Sequence, residues 1–141
     1  MQLNACLFFK GNCEEAFRFY ERALGGKIEA MIPHAGTPAE KQVPPEWLNK
    51  ILHARLVVGN AVLMGSDAPP NRFDEPKGFS VAIQTNDPAE ADRLFQALEK
   101  GTKVTMPIQP TFWAVRFGML VDRFGIPWMI NCQQAAERAA S

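Results

Sequence analysis

The sequence predicts an α+β fold of two βαβββ modules in tandem, forming a concave, cup-like mixed sheet. Three observations carry this. Segment 14–31, "EEAFRFYERALGGKIEAM", aligns with segment 89–106, "AEADRLFQALEKGTKVTM", placing Ala16 on Ala91, Arg18 on Arg93, Phe19 on Leu94 and Tyr20 on Phe95, and one inserted residue brings Lys27 onto Lys103. Each half also has one stretch of helical periodicity among several short apolar runs bounded by Gly, Asn and Asp turn signals. With one helix for four strands, each sheet is covered on one face only, which leaves the other to wall a cavity. The first module takes residues 1–70, the second 77–133, and 134–141 form a C-terminal tail of a single domain.

In chain order, "LNACLFF" (3–9) is a buried strand ended by Lys10-Gly11-Asn12, with Asn12 as the expected N-cap. Glu14 and Glu15 then sit in the first helical turn, where the helix dipole favours negative charge. "CEEAFRFYERAL" sets Ala16, Phe19, Tyr20, Ala23 and Leu24 on one helical face, and Gly25-Gly26 stops it. "KIEAMI" is a second strand. Residues 33–49 carry four prolines and little periodicity, a length typical of lids or disordered loops. "KILHARLVVGNAVLMGSD" reads as two strands about a Gly59-Asn60 turn. In the second half "GFSVAIQT" is a strand, Asn86-Asp87-Pro88 opens the helix "AEADRLFQALEKG", and "TKVTMPIQ", "FWAVRFGMLVD" and "PWMINC" are three more strands.

Composition narrows the function. Fifteen basic and fifteen acidic residues cancel without long runs of either sign, so there is no electrostatic footprint for nucleic acid or an anionic membrane. No stretch approaches the ~20 apolar residues of a membrane span, and "MQLNACLFFKG" lacks a basic leader and cleavage pattern, which gives the reading of a cytoplasmic protein. Cys6, Cys13 and Cys132 have no metal-type spacing and read as free structural thiols, with Cys6 on the helix-covered strand face.

The elements "GNCEEAFRFYERALGG", "ILHARLVVGNAVLMGSDAPP" and "KVTMPIQPTFWAVRFGMLVDRFGIPWMINC" occur in the order seen in the vicinal-oxygen-chelate superfamily, the glyoxalase I, bleomycin-resistance and extradiol-dioxygenase fold. Over residues 3–132 the chain resembles the PhnB-like branch, often labelled 3-demethylubiquinone-9 3-methyltransferase domain. The resemblance implies a homodimer and a small-molecule cavity. It also implies a position for a divalent metal, held in the superfamily's enzymes by His, Glu or Gln on the first and fourth strands of each module. Those positions map here to Ala5, to Leu63 or Met64, to Ser80 and to Met129, none of them a hard charged donor. The expectation is therefore a cavity with no metal and no other cofactor, unless the strands are misaligned.

Several residues are candidates for work in that cavity. Strand alternation sets Leu52, Ala54, Leu56 and Val58 under the helix, so His53 and Arg55 point to the cavity or an interface, His53 either as general base and substrate anchor or as a hydrogen-bonded structural histidine. His34, in the proline-rich loop, reads as solvent exposed. Asp67 is a turn-former or a group at the cavity mouth. Trp113 walls a pocket or packs in the core, Arg116 forks to an anionic ligand or to a surface carboxylate, and Met129 and Asn131 line the cavity from the last strand. Trp128, offset by one, belongs to the core. Three functions fit: metal-independent small-molecule binding, a metal-dependent lyase, isomerase or dioxygenase, and drug sequestration without turnover. Methyl transfer is disfavoured, because no glycine-rich loop follows a first parallel strand.

Overall fold

A computed structural model describes residues 1–133, so the expected tail at 134–141 lies outside the described residues. The chain divides between Asp74 and Glu75 into two compact units. In the first, β1 (Ala5–Phe9), α1 (Cys13–Leu24), β2 (Lys27–Pro33), β3 (Ile51–Val58) and β4 (Ala61–Asp67) build a sheet of order β1-β4-β3-β2, with β1 parallel to β4 and the other pairs antiparallel. Helix α1 buries Cys13, Ala16, Phe17, Phe19, Tyr20 and Ala23. On the strands, Leu7, Phe9, Ala54, Leu56 and Leu63 are buried, and the Phe9 ring meets the edge of Phe17. Gly65 makes the close approach possible, because a Cβ there would overlap the Phe17 ring. The helix stops where Gly25 turns left-handed at φ 73°. The hairpin turn has Gly59 at φ 59°, between the paired Val58 and Ala61.

The helix start is not capped as expected: the Asn12 side chain makes no capping bond. Asp67 does this work from the end of β4, its Oδ1 accepting from Gly11 N at 3.0 Å and Cys13 N at 2.9 Å. Such a long-range cap has no local sequence signature. The 33–49 segment is also more built than expected, folding as 3₁₀ turns at Pro38–Gln42 and Pro45–Trp47 with Trp47 buried. Thr37 caps the first turn by accepting from Ala39 N, and Lys50 Nζ ties the segment's end to Gly11 O at 3.0 Å.

Two faces were misread. Ala5 and Leu63 pair with each other on the side of buried Leu7 and Gly65, while Cys6 and Met64 alternate to the open face with Phe8 and Ser66. Cys6 is accordingly exposed. In β3 the register to β2 jumps from Ile32↔His53 to Pro33↔Ile51, a bulge at Leu52. The extra residue reverses the alternation, so Ile51 is buried and Leu52 leaves the helix-facing set.

In the second unit β5 (Val81–Thr85), α2 (Pro88–Leu98), β6 (Lys103–Gln109), β7 (Ala114–Val121) and β8 (Pro127–Gln133) form a sheet of order β5-β8-β7-β6. Of the Asn86-Asp87 pair that opens α2, Asp87 is the cap, accepting from Ala89 N at 3.0 Å. Ala91, Leu94, Phe95 and Leu98 are buried, so the positions matched by the repeat occupy the same face in both helices. Gly118 admits α2, since a Cβ there would come within 2.7 Å of the Phe95 ring. Trp128 is core, 1% exposed. Asp122 holds the turn before it: the carboxylate accepts from Phe124 N, Ile126 N and, at 2.8 Å, Trp128 Nε1. No helix among the described residues is long and apolar enough to cross a membrane.

Candidate functional site

A cavity of about 460 Å³ lies in the first unit, at the end of the sheet where β1 and β4 finish and β3 begins. Its walls are apolar side chains of Phe8, Val43 and Leu52, and its polar groups are His34, Gln42, Ser66, Asp67, Arg72 and Asp74. Three local features assemble it. The bulge carries Leu52 into the wall, the 3₁₀ turns bring Ala39, Gln42 and Val43, and the chain after β4 adds Ala68 to Asp74, its Arg72 N bonded to Pro69 O at 2.8 Å.

His34 is the buried imidazole of the cavity, 5% exposed. Both its backbone N and its ring Nδ1 lie against the Lys50 carbonyl oxygen, at 3.0 and 2.8 Å. A carbonyl oxygen can only accept, so Nδ1 carries the hydrogen and the neutral ring has its lone pair on Nε2. His34 O accepts from Thr37 N and Thr37 Oγ1, which fixes the residue from its other side. The result is an oriented imidazole with one nitrogen left for chemistry.

The expected site residues distribute as follows. Asp67 lines the cavity, but it is 3% exposed and its carboxylate is committed to Gly11 N, Cys13 N and Ile51 N. It holds the cavity's frame, and its charge is met by three backbone donors. His53 and Arg55 share the open face of β3, where the Arg55 guanidinium is taken by Glu29 at 3.0 Å; neither lines this cavity. Arg116 shares the helix-covered face of β7 with Gly118, two residues on, and pairs with Asp92 of α2 at 3.2 Å. Trp113 precedes β7 and stacks edge-on between Phe112 and Phe117, with centroids 4.8 and 5.3 Å away. Met129 and Asn131 lie on the open face of the second sheet opposite Ala82 and Gln84, and Asn131 Oδ1 is buried without a hydrogen-bond partner among the described residues. Of the set, His53, Arg55 and Asp67 belong to the first unit and Trp113, Arg116, Met129 and Asn131 to the second. Sequence reading missed His34, Arg72, Gln42 and Phe8; the one available signal was the conformational restriction that four prolines impose on 33–49.

Residues 1–131 match the family model described as 3-demethylubiquinone-9 3-methyltransferase. The chain belongs to that family. Its relatives include Protein YjdN of Escherichia coli strain K12, 34% identical over 93% of this chain and 95% of that protein. Among solved structures, protein PA1353 from Pseudomonas aeruginosa is 49% identical, with a TM-score of 0.86 over 95% of this chain and 98% of that one. A putative 3-demethylubiquinone-9 3-methyltransferase, PhnB protein, from Bacillus cereus superposes with a TM-score of 0.77 at 21% identity over 94% and 99% of the two chains. The glyoxylase/bleomycin resistance protein/dioxygenase domain from Frankia sp. EAN1pec shares the fold at a TM-score of 0.68 and 16% identity, over 95% and 98%. This member of the 3-demethylubiquinone-9 3-methyltransferase family thus has the glyoxalase/bleomycin-resistance fold.

The divalent ion of that fold's enzymes requires converging oxygen or imidazole donors. The mapped positions offer Ala5, Leu63, Ser80 and Met129, and moving the first module by one residue to its open face offers Cys6 and Met64. Among the described residues no group of three or more His, Cys, Asp or Glu could hold a metal ion. The donor set does not fit such an ion.

Proposed function

We propose that this PhnB-like protein binds a small, partly apolar molecule in the cavity of its first unit, without a metal. The observation that carries the reading is the combination of a cavity of about 460 Å³, walled by Phe8, Val43 and Leu52, with a buried and oriented His34. Ligand sites are typically mostly apolar pockets of this size with a few placed polar groups. The reading sets aside the methyl transfer named in the family's description, because what supports it is a shaped pocket and not a nucleotide-binding loop. A cytoplasmic location and assembly as a homodimer belong to the same proposal, and the solution mass measured against the 15.7 kDa chain tests the assembly.

The test uses the dye 8-anilinonaphthalene-1-sulfonate, an aromatic sulfonate whose fluorescence rises in apolar surroundings. The expected outcome is saturable binding to the native protein, weakened in Leu52→Trp, whose larger side chain intrudes into the cavity. Dye binding unchanged by that substitution would sink the reading.

A further inference from the structure

The polarity of the cavity is graded from its closed end to its mouth. Its buried polar members are His34 and Asp67, and half-buried Ser66 stands beside them. All three present acceptors. His34 Nε2 holds a lone pair because Nδ1 is spent on Lys50 O, the Ser66 hydroxyl spends its hydrogen on Ile51 O at 3.4 Å, and the Asp67 carboxylate is acceptor-only. The side-chain hydrogens of His34 Nδ1 and Ser66 Oγ already have acceptors, so a ligand that brings its own donor is favoured there. The mouth has the opposite character. Arg72 and Gln42 are exposed there, and the Arg72 guanidinium has no ion-pair partner among the described residues. The apolar part of the lining is the ring of Phe8 and the side chains of Leu52 and Val43.

We infer that the cavity selects hydroxyaryl carboxylic acids, the phenolic hydroxyl donating to His34 Nε2 at the closed end and the carboxylate forking onto Arg72 at the mouth. This rests on the binding reading above and specifies its ligand class. A phenol suits the closed end because it is a neutral donor on a flat apolar body, and the apolar walls accept that body. A guanidinium presents paired N–H groups that match the two oxygens of a carboxylate. Asp74 shares the mouth and repels the same carboxylate, so Asp74→Asn should tighten binding while Arg72→Gln loosens it.

The probes are 3-(4-hydroxyphenyl)propionate, 3-phenylpropionate, which lacks the hydroxyl, and 4-ethylphenol, which lacks the carboxylate, each titrated by calorimetry into the full chain. Removing either group should weaken binding about tenfold, the effect of one well-placed charged or buried hydrogen bond. His34→Phe should erase the preference for the hydroxyl and keep that for the carboxylate; Arg72→Gln should do the reverse. Because His34 also braces the Lys50 carbonyl, the wild-type protein labelled with ¹⁵N in its histidines gives an independent reading. The His34 Nε2 resonance should move with 3-(4-hydroxyphenyl)propionate and stay in place with 3-phenylpropionate. Equal binding of the two acids, or a hydroxyl preference that survives His34→Phe, overturns the inference. If neither acid binds while the dye still does so in a Leu52→Trp-sensitive manner, the inference falls and the binding reading stands.

Discussion

Three buried side chains show how a polar group earns its place inside this protein. Asp67 accepts from three backbone N–H groups drawn from the loop after β1, the start of α1 and the start of β3. Asp67→Ala would leave those donors buried and unpaired, and should cost about 3 kcal/mol in urea denaturation. Asp122→Ala should cost a similar amount, about 2–3 kcal/mol, and should also change the near-UV circular dichroism of Trp128 as its Nε1 loses its acceptor. Cys13 is a different case. Burial first, then the Asp67 carboxylate, pushes its thiol well above its ordinary 9.0. The native state keeps a proton that the unfolded chain gives up above that value. The stability this thiol contributes is complete below pH 9.0 and declines as pH rises further, by up to about 1.4 kcal/mol per pH unit. Denaturation between about pH 8 and about pH 11 should show that decline, and Cys13→Ala should flatten it.

At the level of elements, helix-to-sheet spacing rests on glycines where the helix approaches the strands. Gly65 faces Phe17, itself fully buried and held edge-on by Phe9 and Tyr20, so the ring has nowhere to retreat. Gly65→Ala should destabilise by about 2 kcal/mol in thermal or chemical unfolding, the usual cost of overpacking. Gly25→Ala would strain a left-handed cap with nothing within 4 Å, and should cost only about 1 kcal/mol. Element types were legible in the sequence because apolar periodicity reports them directly. Faces were less so: the bulge at Leu52 breaks an alternation and takes Leu52 out of the helix-facing set, and Arg116 proves to lie on the helix-covered face rather than in a cavity. A bulge depends on how partner strands meet, and no residue in either strand announces it.

At the scale of the whole molecule, the strand positions mapped for a metal, Ala5, Leu63, Ser80 and Met129, carry apolar, hydroxyl or thioether side chains, and the proposed binding is metal-independent. Dialysis against a chelator should leave both the melting temperature and dye binding unchanged, and stoichiometric zinc, nickel, manganese or iron in chelator-free protein would count decisively against that expectation. The sequence by itself determined the tandem βαβββ plan, most of the buried face of α1, a helix start at Asn86-Asp87-Pro88 and the family. Those properties are local or repeated, and local periodicity or internal alignment expresses them completely. Only the tertiary structure decided where the cavity lies. His34, read as an exposed loop residue, becomes a buried, oriented imidazole because Lys50, sixteen positions away, returns its carbonyl to the ring. Asp67 becomes a frame for the cavity because three backbone segments converge on it. Both depend on contacts distant along the chain, and such contacts leave no periodic trace in a single sequence.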